Sequence, residues 1–207
     1  MKEVIMIRKK IYPKTKRVGI ERGVVTITEK LDGSNIGFFK LDGELIVATR
    51  NNIIKFSEIE EVRQILYKGM YEWLITSGDI LKQQLLEKSG FFGEWLGMGK
   101  LKYKDLDKRV YMFAKANIDT ELDIRKICYK NELFIYPFLN KEIPSFIGIV
   151  PIVKSYKNYP TIEELDNLYN IYKNDKERNV EGFIILQENH IKKYVRMKNG
   201  KLEPHKS

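Results

Sequence analysis

Apolar and polar positions along this chain alternate in a strand-like way at both ends and take on a helical spacing in the middle. Val24-Val25-Thr26-Ile27-Thr28 is β-branched throughout and stops just before Asp32-Gly33, while apolar stretches at 36–41 and 45–49 flank a second Asp-Gly, Asp42-Gly43. This pattern predicts an antiparallel β region. Between 58 and 88 the spacing lengthens, with Ile59, Val62 and Leu66 followed by Leu81 and Leu85, and predicts two helices separated near Ser77-Gly78. Buried strands are expected over 91–96 and 110–116, a helix over 122–132, an apolar strand over 147–153 and a helix over 162–172. A last hairpin, 180–187 and 191–197, turns at Glu188-Asn189-His190. Strands that dominate both ends with helices between them favour an α+β fold of antiparallel β-sheets with flanking helices over a parallel βαβ array. The chain shows no repeat, linker or low-complexity segment, so residues 1–207 are expected to form a single domain.

Composition narrows the chemistry. Lysine and arginine number 37 against 28 acidic residues, and the net charge of +9 suits a partner rich in phosphate. The lysines are spread along the whole chain, so charge alone does not locate a binding face. A lone cysteine, Cys128, excludes an internal disulfide and a thiolate zinc cluster. Only His190 and His205 are present, the second in the C-terminal tail, which argues against histidine metal sites and Ser-His-Asp catalysis. Charge interrupts the first eight residues too early for a signal peptide, and no apolar run has membrane-spanning length, so a soluble, cytoplasmic protein is expected. No glycine-rich phosphate loop is present. The chemistry is left to Lys, Arg, Asp and Glu.

Lys-Leu-Asp-Gly occurs twice, at 30–33 and 40–43. Asp-Gly between β-rich runs is a common hairpin turn, and the second copy reads as that turn. The first copy has further context. It continues into Ser34-Asn35 and is followed, in order, by Arg50, Phe92-Gly93-Glu94, Glu181-Gly182-Phe183 and Arg196-Met197-Lys198. Glu94 lies in an aromatic and apolar run, where an unpartnered carboxylate would be costly. Strand alternation puts Lys192, Tyr194, Arg196 and Lys198 on one face.

This series resembles the motifs of the covalent nucleotidyltransferases that ligate polynucleotides, and most closely those of the RNA ligase 2 type. Lys-x-Asp-Gly is shared by polynucleotide ligases and capping enzymes. Asn35 stands where DNA ligases and capping enzymes usually carry Arg, which favours RNA ligase. The resemblance implies a nucleotidyltransferase (ATP-grasp-like) domain and an ATP-dependent reaction with Mg2+ or Mn2+, in which Lys30 becomes a lysyl-AMP and RNA 3′-hydroxyl and 5′-phosphate ends are joined. RNA, including nicked duplexes or RNA/DNA hybrid ends, is the implied partner. Glu29, Arg50, Glu94 and Phe113 are implied nucleotide contacts, Glu94 at the ribose and Phe113 stacked on adenine. Glu181 is the implied metal ligand, Asp32 and Asn35 orient the site, and Arg196 and Lys198 meet phosphate. An unperturbed lysine gives up its proton at neutral pH at a cost of roughly 4 kcal/mol. The same reading therefore assigns Arg50, Lys192, Arg196 and Lys198 the task of favouring the free amine.

Two positions depart from the family pattern. Ala114-Lys115 follows Phe113 where Asp is frequent, and Arg196 replaces the first lysine of Lys-x-Lys, keeping the charge but presenting a planar fork. The sequence ends nine residues after Lys198, leaving no space in it for a C-terminal OB-fold or accessory domain. The alternatives are a DNA-nick ligase, a capping guanylyltransferase and a basic nucleic-acid-binding module without chemistry.

Overall fold

Two β-sheets, mainly antiparallel, organise the computed structural model, which describes residues 5–6, 16–17, 25–117, 144–174, 180–187 and 190–195. In chain order the strands are β1 (Ile5–Met6), β2 (Lys16–Arg17), β3 (Val25–Lys30), β4 (Ser34–Leu41), β5 (Glu44–Ala48), β6 (Asn52–Lys55), β7 (Ser89–Trp95), β8 (Val110–Asn117), β9 (Ile147–Ile149), β10 (Ile152–Tyr156), β11 (Gly182–Gln187) and β12 (His190–Val195). The helices are α1 (Met70–Gln84) and α2 (Ile162–Asn174). The first sheet runs β1-β6-β5-β4-β7-β8-β9 and the second β10-β3-β11-β12-β2. Among the described residues, parallel pairing is confined to β8 with β9 and β12 with β2. The expected α+β class built on antiparallel sheets is thus observed, with few helices among the described residues.

The chain divides into two compact units. One contains β1, residues 33–98 and 108–117, and 144–149. The other contains β2, residues 25–32 and 99–107, and the described residues from 150 onward. In the first unit an aromatic interior forms around Phe38, Phe39, Phe91, Phe92 and Trp95, all fully buried. Trp73 of α1 meets Phe38 at 5.4 Å and Trp95 edge-on at 5.7 Å between ring centroids. In the second unit, α2 lays Leu165, Leu168 and Tyr169 on Val25, Ile27, Phe183, Ile185 and Tyr194.

The two copies of Lys-Leu-Asp-Gly adopt different structures. Asp42 and Gly43 both have positive φ, 52° and 71°, and join β4 to β5 in a tight turn. The Glu87 carboxylate accepts both of their N–H groups, at 2.5 and 3.1 Å. Lys30, by contrast, ends β3 in one sheet, and Asp32-Gly33 leads into β4 of the other.

The middle of the chain differs from expectation in two places. Residues 58–88 form two short 3-10 turns, Phe56–Glu58 and Arg63–Ile65, and a single helix α1 that runs straight through Ser77-Gly78. Gly78 is needed inside that helix because a Cβ there would lie 2.3 Å from the Phe56 ring, so packing overrides glycine's weak helical preference. The expected strand over 147–153 breaks at Val150-Pro151 into β9 and β10, which belong to different sheets. Pro151 has no N–H for a ladder, and its carbonyl accepts Glu29 N–H at 3.0 Å. The helix expected over 122–132 lies outside the described residues.

Candidate active site

The register of β3 against β11 brings together two motifs that are far apart in sequence. Lys30 stands opposite Gly182 and Glu29 opposite Phe183, so Glu181 arrives at the same end of the sheet as Lys30. Lys30 Nζ donates to Glu181 Oε2 at 2.5 Å, and both side chains remain about a quarter exposed, at 25% and 28%. Gly182 is what lets β11 approach β12 here, since a Cβ would sit 2.2 Å from the Tyr194 carbonyl oxygen. Glu29 alternates onto the opposite face, buried beside Phe183.

Asp32 has a structural occupation that its motif does not announce. Its Oδ2 accepts the N–H groups of Lys100 and Leu101 at 2.6 and 2.9 Å, and its own N–H donates to the Tyr103 hydroxyl at 2.6 Å. Tyr103 is half-buried. Burial, and after it the charges of Asp32, Glu181 and Glu29, hold its phenol well above the ordinary value, against the lowering effect of the Asp32 backbone bond.

In the other unit, β4 pairs Asn35 with Glu94 of β7. Glu94 Oε1 accepts Gly33 N–H at 3.2 Å, and Gly33 is required because a Cβ would meet the Trp95 carbonyl oxygen at 2.4 Å. Tyr67 links two of the expected site residues: its hydroxyl donates to the Asn35 carbonyl at 3.0 Å and accepts the Arg50 N–H at 3.1 Å. Burial raises the Tyr67 phenol above its ordinary value, and the Glu94 carboxylate adds to the shift while Arg50 opposes it. Arg50 itself is exposed just beyond β5. Phe113 is the extra residue of a β-bulge: Phe92 pairs with Ala114 and Gly93 with Met112, and Phe113 between them is half-buried against the aromatic interior. Bulges of this kind re-aim a side chain.

Sequence reading missed Tyr67 and Tyr103. Each is an isolated tyrosine outside any motif, and only hydrogen bonds spanning tens of residues reveal it. Lys192 requires a correction. It pairs with Ile185, which puts it on the α2-covered face with Tyr194, whereas Lys193 pairs with Ile184 and shares the face of Lys30. Lys192 is 8% exposed, with its ammonium 5.2 Å from the Tyr159 ring centroid, and so cannot act on the Lys30 amine from the same face. Tyr194 closes that interior by donating to Asp166. Arg196 and Lys198 lie outside the described residues.

Among the described residues, no three His, Cys, Asp or Glu side chains gather into a metal site. Glu181 fits a looser role, since Mg2+ is commonly held by one or two carboxylates together with substrate phosphates and water. No helix among the described residues is long and apolar enough to cross a membrane.

The family model described as RNA ligase matches residues 23–199. The chain belongs to the RNA ligase family. Its motif series from Lys30 to Lys198 falls within that match. Among solved structures, a lysine-to-alanine mutant of Naegleria gruberi RNA ligase with ATP and Mn superposes with a TM-score of 0.50 at 16% identity, over 93% of this chain and 58% of that one. This likeness is one of fold. An apo lysine-to-alanine mutant gives 0.48 at 16% identity over 91% and 58%, and the ligase with PPi gives 0.47 at 16% over the same shares. The RNA ligase chain described here therefore spans less than two-thirds of the length of these solved chains. No curated protein matches it.

Proposed function

We propose that the protein is an ATP-dependent RNA ligase that joins RNA 3′-hydroxyl and 5′-phosphate ends through a covalent lysyl-AMP. The observation that carries this reading is the 2.5 Å contact between Lys30 Nζ and Glu181 Oε2, which unites the first and fourth motifs of a ligase series. Lys30 attacks the α-phosphorus of ATP. An N–P bond forms, the bond to the bridging oxygen breaks, and pyrophosphate leaves with that electron pair. Glu181 already accepts a hydrogen bond from the amine and is placed to take its proton as the nitrogen lone pair turns to phosphorus. Glu181 is also the residue that would hold a divalent cation, which would neutralise phosphate charge when bound with ATP.

The AMP then passes to an RNA 5′-phosphate, forming a P–O–P link and restoring the lysine. A 3′-hydroxyl displaces AMP in the final step. Each step is an in-line displacement, so positioning and charge do most of the catalytic work. In this reading Glu94 holds the ribose hydroxyls, Phe113 the adenine, and Arg50, Arg196 and Lys198 the phosphates. Glu29 is a further nucleotide contact, and Asn35 orients the site.

The test is incubation of purified protein with α-labelled ATP and Mg2+, wild type beside Lys30→Ala. The expected result is a labelled protein band, stable to denaturation, that is absent in the variant. Labelling by GTP alone, or a label that persists in Lys30→Ala, overturns the reading. Nicks with RNA or DNA at the 3′-hydroxyl side test the substrate, and a strong preference for all-DNA nicks contradicts the RNA assignment.

A further inference from the structure

Residues 99–107 belong to the same unit as Lys30, although they leave and return to strands of the other unit. In Gly99-Lys100-Leu101-Lys102-Tyr103-Lys104, the three lysines are exposed while Leu101 and Tyr103 are half-buried. The loop is fastened to the nucleophile motif through the three Asp32 hydrogen bonds, two at its start and one at Tyr103. It also packs so closely that a Cβ at Gly99 would lie 1.9 Å from the Asp32 carbonyl oxygen. Solubility alone asks for none of this. A row of lysines needed only for solvation is served by a free loop, whereas this one has a glycine contact and three bonds to the residue two positions after Lys30.

We propose that the loop 99–104 is a polynucleotide-binding strap, whose Lys100, Lys102 and Lys104 contact successive phosphates of an RNA strand while Asp32 fixes the loop beside the nucleophile. Two residues of chain span at most about 7 Å, the scale of the step between neighbouring phosphates along a strand. Lysine serves here as a point charge that tolerates any base sequence. Asp32 becomes a positioning residue, acting on RNA through the loop backbone. The proposal rests on the ligase reading for the nature of its partner, but its test does not depend on catalysis.

The experiment measures binding of a labelled single-stranded RNA to the whole protein, without ATP, across a salt series. The triple variant K100Q/K102Q/K104Q is compared with wild type and with K55Q/K88Q/K157Q, which removes the same charge at three other exposed positions. Losing three phosphate contacts is expected to weaken binding about tenfold or more and to flatten the log–log salt slope by about 2, since each contact on a single strand contributes roughly 0.7. The control triple is expected to stay close to wild type. Asp32→Ala is expected to reproduce much of the loss, while Asp32→Asn, whose amide oxygen can still accept both N–H groups, retains binding. Equal weakening by the two triples reduces the effect to net charge and overturns the strap. Unchanged affinity and slope in K100Q/K102Q/K104Q overturn it as well, and wild-type binding by Asp32→Ala overturns the fastening role. Failure of wild-type protein to label with ATP would instead strike the ligase reading, leaving the binding result to decide the strap on its own.

Discussion

The two units differ in what they bury. The larger sheet is filled with Phe, Trp and aliphatic side chains, and its fully buried rings meet tilted or edge-on. The smaller sheet, which carries Lys30, closes its interior with Tyr169, Tyr194 and Phe183, and it also buries Glu29, Gln187 and Lys192. Apolar burial stabilises in proportion to area, while each buried polar group must be matched by a partner. The contrast teaches a division of labour: Lys30 sits in the unit whose interior already accommodates charged side chains, Glu29 and Lys192, while the larger sheet packs the more extensive apolar core.

The strongest way to break this contrast is to empty each core. Phe38→Ala is expected to cost about 4–5 kcal/mol, near the top of the range for buried aromatics, because its cavity is walled by other large rings. Phe183→Ala is expected to cost about 3 kcal/mol, since the tyrosines around it can shift toward the gap. Denaturant unfolding of both variants checks the pair, and a cost for Phe183→Ala equal to or above that of Phe38→Ala contradicts the division. Next in size, Gly182→Ala forces β11 away from Tyr194 and is expected to cost about 2 kcal/mol. Because Glu181 moves with it, labelling by ATP is expected to fall by tenfold or more. Gly43→Ala, strained only by its positive φ with open space around it, is expected to lose about 1 kcal/mol and no labelling.

What the sequence made legible follows the same line. The strands of the larger sheet were readable from alternation, and Lys30 and Glu181 were each singled out by motif order, but their contact appears only in the register of β3 against β11. The continuous α1 was not readable. Gly78 resembles a breaker until Phe56 is seen lying over it. The split at Val150-Pro151 was hidden because an apolar run does not announce which sheet it joins. Lys192 does share a face with Tyr194, as alternation predicts, but its role beside Lys30 fails because a count of alternate positions within one strand does not say which side of the sheet holds the core. That requires the pairing of Ile185 with Ile27.

Two smaller effects sharpen the comparison at the tyrosines. Tyr67→Phe removes the hydroxyl that joins Asn35 to Arg50 and is expected to cost about 1 kcal/mol, with a raised KM for ATP in the labelling assay. Tyr103 makes the smallest difference, and at high pH. Its phenol is held protonated in the folded state above 10.0, where the unfolded chain releases the proton. The stabilisation is therefore fully present below pH 10 and declines as pH rises past it. Thermal unfolding above pH 10 is expected to fall more steeply for wild type than for Tyr103→Phe, and parallel curves would remove Tyr103 from this account.

The margins of the smaller sheet have a consequence for crowding. Among the described residues, one outermost strand is the two-residue Lys16–Arg17, and the other, Ile152–Tyr156, carries Lys154. Short or positively charged borders are poor templates for another molecule's backbone. Copies crowded together at these borders would thus repel, remaining separate instead of zipping into fibrils.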